Sequence, residues 1–442
     1  MAPGTFRAAA ASAVHSGGSF GGIDSQAQQH ADPGGSRNAQ SSGVGVAEKY
    51  GLLAAVIAAR GGCAVLDGGL ATELELRGAD LNDPLWSAKC LMEEEASSLV
   101  RKVHLDYYRA GADISISASY QATIEGFTAR GLSKGQAEAL LARSVQLVGE
   151  ARDRFWAQYC AEAERRGERV ERAEGGVERV AGRVKPLVAA SVGSYGAFLA
   201  DGSEYSGDYG ADMTVERLMD FHRRRLQVLA AAGPDIIAME TIPCHIEAQA
   251  LVQLLEEQAA SGAAAVPAWI SFNSKDGRTA PSGDLFSSCI ATAAASPHVV
   301  AVGINCTPPR FILPLLHAAR KETSKPLVVY PNSGEAWDGI NKEWVVRALP
   351  RSALRPSAPL HSLLFSALLC SSVVLSPSLL LHTAPSPTDP LASLSVRPLS
   401  HVISDLPSTR PSPISRASTL FSSIPPWALP HLSLRAAMQW AE

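Results

Sequence analysis

The chain has 442 residues, of which 46% are hydrophobic and 19% charged, and its formal net charge is −4. This slightly acidic balance argues against the basic surface that nucleic-acid binders use, so no nucleic-acid partner is expected. The seven cysteines are too few and too irregularly spaced for a disulfide-rich secreted protein. They favour free thiols in a reducing compartment, the cytoplasm.

Composition divides the chain into three segments. Residues 1–45 are rich in Ala, Ser and Gly and carry almost no bulky apolar side chain, so they are predicted to be disordered. Their composition also resembles a transit peptide for an organelle, but two Arg together with two Asp match that class weakly. Residues 46–349 have the pattern of an α/β domain, and residues 350–442 form a tail rich in Pro, Ser and Leu.

Within residues 46–349, short apolar runs alternate with amphipathic segments. Such runs are typical of strands buried on both faces of a parallel sheet. The predicted strands are 64–67, 112–117, 187–192, 235–239, 268–272, 299–304 and 327–330. The predicted helices include 93–110, 136–151, 214–232, 246–260 and 311–322. The charged stretch 160–185 is predicted to be a solvated, mobile insertion.

Seven such units can form a barrel or an open sheet, and periodicity does not separate the two. Polar residues follow the strands at Asp67, Tyr120, Glu240, Asn273, Cys306 and Asn332. In parallel α/β folds the C-terminal ends of the strands form the face where ligands bind. A binding site is therefore expected among these residues.

Each of the main candidates has two interpretations. Asp67, before Gly68 and Gly69, can accept hydrogen bonds from a substrate ammonium or cap the following helix. Glu240 at the end of an apolar strand needs a partner, either a ligand amine or an arginine. Cys306 can be a thiolate ligand or nucleophile, or a small buried apolar residue.

Several motifs occur together and in order: DGGLATEL, SYQATIEGF, ETIP, SFNSKDG with SGD, GINC and YPNSGEAWD. Taken together they resemble the homocysteine S-methyltransferase family, in its plant-type form, over about residues 50–346. The resemblance implies a zinc-dependent (β/α)8 TIM barrel. It also implies an enzyme that makes methionine from homocysteine, with S-methylmethionine or S-adenosylmethionine as the sulfonium methyl donor.

The resemblance also implies roles for individual residues. Asp67 and Glu240 correspond to the acids that hold the homocysteine amino group, and Asn305 lines the same pocket. Cys306 corresponds to the first zinc thiolate, so Zn²⁺ is the expected cofactor. Tyr120 and Gln121 are placed on the donor side. No side chain is assigned as a catalytic residue.

The sequence departs from the family at its zinc ligands. The other two ligands are adjacent cysteines in a Gly-Gly-Cys-Cys segment at the eighth strand, and this sequence contains no Cys-Cys pair. Cys244 lies on the correct face and is a weak substitute. The barrel is therefore expected to be incomplete at the eighth strand, with poor zinc binding and little or no activity. The alternative is a non-catalytic homocysteine-binding relative or a subunit-interaction protein.

Three interpretations apply to the tail of residues 350–442. Residues 356–388 carry no Asp, Glu, Lys or Arg and approach the length of a membrane span, but their Pro and Ser content weakens a membrane anchor. A low-complexity disordered tail is the second interpretation. The third, which we favour, is that these residues are not the native ending. The sequence leaves the oligomeric state open.

Overall fold

The computed structural model describes residues 51–172, 177–262, 266–332 and 372–375, together with the strands Ala336–Asp338 and Glu343–Val345. The predictions for residues 1–45, and for the tail apart from 372–375, lie outside the described residues. Ala336–Asp338 and Glu343–Val345 pair antiparallel with each other. In the described ranges, no helix combines the length and the apolar character needed to cross a membrane.

Eight strands form the central sheet. In chain order they are β1 Cys63–Val65, β2 Ile114–Ile116, β3 Leu187–Gly193, β4 Ile236–Ile242, β5 Ala268–Phe272, β6 Val299–Asn305, β7 Leu327–Tyr330 and β8 Val373–Leu375. Their spatial order is β1-β8-β7-β6-β5-β4-β3-β2. The pairs from β2 to β7 are all parallel. The seven predicted strands therefore occur in the predicted order.

The sheet closes on itself between β1 and β2. Leu66 forms a parallel bridge to Ile114, and the Asp67 amide donates to the Ile114 carbonyl at 2.9 Å. The Asp113 amide donates to the Val65 carbonyl at 2.7 Å. The fold is therefore a barrel, as the resemblance implies, and not an open sheet.

The eighth position of the barrel is occupied by a strand that runs in the opposite direction. Val373 of β8 lies opposite Val65 of β1 and Val329 of β7, in antiparallel register on both sides. In the described part of the chain there is no parallel eighth strand, which confirms the expected departure from a complete (β/α)8 barrel. Both neighbouring edges, on β1 and β7, are nevertheless paired, because a Val-Val-Leu segment readily adds to unpaired strand edges.

Helices surround the barrel. Residues 51–59 are helical, and the other helices are Leu70–Leu76, Glu94–Ala110, Ile124–Thr128, Lys134–Arg165, Tyr195–Leu199, Ser203–Ser206, Val215–Ala231, His245–Ala260, Phe286–Ala295 and Ile312–Glu322. Trp86–Leu91 and Pro309–Phe311 form 3₁₀ turns. Gly111 ends the helix Glu94–Ala110 at φ 119°, and the Thr214 side chain caps the helix Val215–Ala231. Phe286–Ala295 was not predicted, because its largely apolar sequence lacks a polar face.

Two apolar cores hold the fold together. One lies between the strands and the surrounding helices, with Phe127, Leu251 and Ile290 among its fully buried members. The other joins the helix 51–59 to residues of the barrel strands, including Trp269 and Val374. β8 therefore contributes to the core as well as to the sheet.

The charged stretch 160–185 is more ordered than predicted. Glu171–Arg172, Glu178–Val180 and Arg183–Val184 form a small antiparallel sheet. Arg183 is buried and donates to the carbonyls of Tyr108, Gly111 and Ala112 at 2.7–3.2 Å. The prediction of a wholly solvated insertion is therefore wrong at its C-terminal end, where charge density concealed a residue that packs against the barrel.

Candidate functional site

Asp67 lies at the C-terminal end of β1, with 5% of its surface exposed. Its Oδ2 accepts hydrogen bonds from the Ser115 hydroxyl at 2.6 Å and the Ile116 amide at 2.8 Å. The following helix Leu70–Leu76 has no side-chain cap, which excludes the capping interpretation. Burial, together with the nearby charge of Glu240, raises the pKa of Asp67 to about 7.

A buried histidine extends this arrangement. His104 has no exposed surface, and its Nδ1 lies 3.0 Å from the Ser115 hydroxyl. Because that hydroxyl donates its proton to Asp67, His104 Nδ1 must be the donor in the second bond. Burial lowers the pKa of His104 to about 3, so the ring is neutral. His104 and Ser115 were not predicted as site residues, although a serine within the apolar run of β2 was a signal.

Glu240 lies at the end of β4 and is 8% exposed. It accepts a hydrogen bond from the Ser191 hydroxyl, and the nearby Tyr330 stabilises its charged form. In the described ranges it forms no ion pair, so the arginine partner considered from sequence is absent there. Burial raises the pKa of Glu240, while the more distant Arg225 opposes that rise.

Arg225 instead holds the backbone at the mouth of the barrel. Its buried guanidinium donates to the carbonyls of Gly193, Ser119 and Tyr120 at 2.7–2.9 Å. These carbonyls follow β2 and end β3, so Arg225 ties the two strand ends together. Sequence patterning placed this residue only on a helix and did not reveal its role.

Cys306 and Asn305 lie at the end of β6, beside Thr241 of β4. Asn305 Oδ1 accepts from the Thr241 amide at 2.9 Å, and its Nδ2 donates to the Thr241 hydroxyl at 2.6 Å. The Cys306 sulfur accepts from Asn305 Nδ2 at 3.3 Å and from the Thr241 hydroxyl at 3.6 Å. The sulfur therefore lies among polar groups, which argues against Cys306 as a packed apolar residue.

Two of these residues have strained backbones. Cys306 has φ 45° and Thr241 has φ 60°, values in the left-handed region that side chains rarely adopt. The pairing of β4 with β5 also shifts register between Met239 and Ile242. Such strain costs on the order of 1–3 kcal/mol per residue and concentrates at functional sites. Its occurrence on two facing strand ends marks this edge of the barrel as the candidate site.

The described residues do not complete a zinc site around Cys306. Burial and the charge of Glu240 raise the pKa of Cys306 to about 11, so the group is a neutral thiol. Nowhere in the described ranges do three His, Cys, Asp or Glu side chains come together as a metal would need. Cys244 is 3% exposed and has Glu247, Asp284 and Cys289 as its neighbours. Cys306 is not among the groups that act on Cys244, and the role of Cys244 as a substitute ligand stays a prediction.

The two residues predicted on the donor side differ in their surroundings. Tyr120 packs edge-on against Trp86, with ring centroids 6.2 Å apart, and both Thr241 and Cys306 influence the pKa of its hydroxyl. The Gln121 side-chain amide donates to the carbonyls of Pro84 and Ala197 at 3.2 and 3.0 Å. Tyr120 thus adjoins the Cys306 edge, whereas the Gln121 amide nitrogen bridges two loops.

A family profile and the sequences of known proteins point to the same family. A family profile described as homocysteine S-methyltransferase matches residues 64–354. The chain is 54% identical over 295 residues to homocysteine S-methyltransferase 1 of Zea mays, covering 67% of this chain and 84% of that protein. It is 55% identical over 299 residues to a selenocysteine Se-methyltransferase of Brassica oleracea var. italica, covering 68% and 81%.

A solved structure is also similar. It is the metallated form of the homocysteine methyltransferase MmuM from Escherichia coli, with a TM-score of 0.51 and 45% sequence identity. The similarity covers 61% of this chain and 84% of that one.

Proposed function

From the premise that this chain belongs to the homocysteine S-methyltransferase family, a family of methyltransferases, we propose that its barrel mouth binds homocysteine. Asp67 and Glu240 would hold the amino group of the substrate. The observation that carries this proposal is a pair of buried carboxylates, of which Glu240 raises the pKa of Asp67, and neither of which forms an ion pair among the described residues. An ammonium group between them would stabilise both charged forms.

Asn305, Thr241 and Cys306 would form the wall next to the substrate sulfur. Their mutual hydrogen bonds hold this wall rigid, which favours an oriented reaction between two bound partners. In the proposed reaction the homocysteine sulfur bonds to the methyl group as the methyl–sulfonium bond breaks. The donor keeps that electron pair and becomes a neutral thioether, and the thiol proton is lost to solvent.

The donor would be S-methylmethionine or S-adenosylmethionine, with Tyr120 and Gln121 on its side of the site. Zn²⁺ would activate the substrate thiol in a complete member of the family, with Cys306 as one ligand. The described residues do not provide the full ligand set of a zinc ion, so we assign no step of the reaction to the metal. We propose instead that this chain binds zinc weakly and transfers methyl groups slowly or not at all.

A second function, homocysteine binding without methyl transfer, is favoured by the contrast between the two halves of the site. The carboxylates Asp67 and Glu240 are both present and oriented, whereas the sequence has no Cys-Cys pair. Such a protein would bind the amino acid independently of metal.

The six described cysteines are all free thiols, which supports the cytoplasm as the compartment of this protein.

Isothermal titration of the full chain with homocysteine, with and without zinc, tests the proposal. We expect binding, weakened about 10-fold or more in Asp67→Asn and Glu240→Gln, because each loses a charge-assisted hydrogen bond worth about 1.5–3 kcal/mol. Glu216→Gln, at an exposed helix position, is the matched control. Binding that needs no zinc would support the second function. Unchanged affinity in both site variants would contradict the proposal.

A further inference from the structure

Two buried oxygen atoms near the barrel mouth have no hydrogen-bond partner among the described residues. They are Oε2 of Glu204, in the short helix Ser203–Ser206 after β3, and Oδ1 of Asn273, directly after β5. Asn273 is 2% exposed, and its Nδ2 donates to the Glu204 carbonyl at 2.9 Å. The two residues therefore belong to adjoining elements, and neither acceptor oxygen is used by the contacts described above.

The backbone around Glu204 is held firmly in place. A side chain at Gly196 would collide with the Glu204 nitrogen, and one at Gly207 would lie 2.7 Å from the Pro243 carbonyl. Asp201 accepts a hydrogen bond from the Ser203 amide at 2.9 Å and so fixes the start of the short helix. The backbone that carries Glu204 is thus fixed by close contacts, although the neighbouring residues Gly202, Tyr205 and Ser206 are exposed.

The Glu204 carboxylate acts on the same edge of the barrel as Cys306. Its charge contributes to the raised pKa values of Cys306, Tyr120 and Tyr205. Asp67 has Glu240 as the acid that acts on it, and Glu204 is not among the charges that do so. The candidate site therefore carries one acidic pair, Asp67 with Glu240, and a separate acceptor pair, Glu204 with Asn273.

The chemistry of the acceptor pair selects its ligand. A buried acceptor without a donor is unfavourable, and a ligand that brings N–H groups and positive charge relieves both unpaired oxygens. A sulfonium carries positive charge but no hydrogen-bond donor, whereas a primary ammonium carries both. An amino group bound at this pair would therefore be distinct from the sulfonium that gives up its methyl group.

We propose that Glu204 and Asn273 bind the α-ammonium group of the methyl donor, and so select a sulfonium that is also an amino acid. This inference rests on the proposed function, which places homocysteine at Asp67 and Glu240. It makes Glu204 and Asn273 determinants of donor specificity rather than catalytic residues.

Binding measurements test the inference without any turnover. The full chain is titrated with S-methylmethionine and with a sulfonium of the same length that lacks the amino group. We expect the unmodified chain to bind S-methylmethionine at least 10-fold more tightly than the analogue. Glu204→Gln should lose most of this preference, and Glu216→Gln, which removes an exposed carboxylate, should keep it. Matching circular dichroism spectra and melting temperatures establish that the variants are folded.

A parallel titration with homocysteine separates this inference from the proposed function. Glu204→Gln should bind homocysteine as the unmodified chain does. If it also retains the preference for S-methylmethionine, the inference is wrong and the proposed function stands. If it loses homocysteine instead, the acceptor pair serves the other substrate and the inference is again wrong. If the unmodified chain binds neither homocysteine nor S-methylmethionine, both the inference and the proposed function are wrong.

Discussion

At the scale of single residues, the site depends on how a buried carboxylate keeps its charge. Asp67 is almost fully buried, yet the proposed binding of an ammonium group requires its ionised form. The Ser115 hydroxyl and the Ile116 amide stabilise the charged form, and His104 orients Ser115. Burial outweighs these bonds, so the pKa of Asp67 rises to about 7.

Replacement of Ser115 by alanine should move the pH dependence of homocysteine binding. The change removes a bond to the charged carboxylate, so the pKa of Asp67 rises further. Homocysteine binding weakens as the pH falls through that pKa, and in Ser115→Ala the weakening should begin at higher pH, by about one pH unit. Dissociation constants measured from pH 5.5 to 9 provide the test.

Ser98→Ala, at an exposed helix position, is the control and should keep the original profile. A Ser115→Ala profile that coincides with that of the unmodified chain would show that the hydroxyl does not control Asp67.

At the scale of secondary structure, the helices and strands differ in how they could be predicted. Glu94–Ala110 and Val215–Ala231 follow from apolar spacing and from their terminal residues Gly111 and Thr214. The helix Phe286–Ala295 could not be predicted in this way, because its sequence is mostly apolar and contains no charged residue. β8 was also not predicted, since three apolar residues within a long apolar tail carry no signal of their own.

The core position of β8 leads to a stability prediction. Val374 is fully buried and packs with residues of the other barrel strands. Val374→Asp places an unpaired carboxylate in that core, and we expect the free energy of unfolding to fall by at least about 3 kcal/mol. Urea denaturation followed by circular dichroism measures the change.

The matched control is Val170→Asp, because Val170 is 42% exposed. It should change the free energy of unfolding by less than about 0.5 kcal/mol. Equal stability of the two variants would mean that β8 does not fill the barrel in solution.

At the scale of the whole molecule, the direction of β8 bears on whether the protein can supply the ligands of a zinc ion. In the family the second and third zinc thiolates follow a parallel eighth strand, as the resemblance implies. Here the eighth position holds an antiparallel strand, Val373–Leu375, that contains no cysteine. The structure thus closes the barrel without supplying those ligands in the described part of the chain.

Zinc content should therefore be well below one ion per chain after dialysis, as measured by plasma emission spectrometry. A single thiolate does not provide the three protein ligands of a catalytic zinc site. Cys306→Ser should leave this low content unchanged. One zinc ion per chain, lost in Cys306→Ser and accompanied by normal methyl transfer, would contradict the proposed weak binding.

The sequence by itself determined the order of seven strands, most helices and the position of Asp67, Glu240 and Cys306 at strand ends. These features depend on local apolar spacing, on capping residues and on motifs that are continuous along the chain. They also carried the resemblance to the family, which the comparisons confirm.

Only the tertiary structure decided which strand fills the eighth position, that β8 runs antiparallel to both neighbours, and which groups surround the site. Ser115 reaches Asp67 across 48 positions of sequence, and Thr241 reaches Asn305 across 64. Glu204 and Asn273 meet in the same way, across 69 positions. Such contacts depend on how distant segments pack together, and local patterns carry no information about that packing.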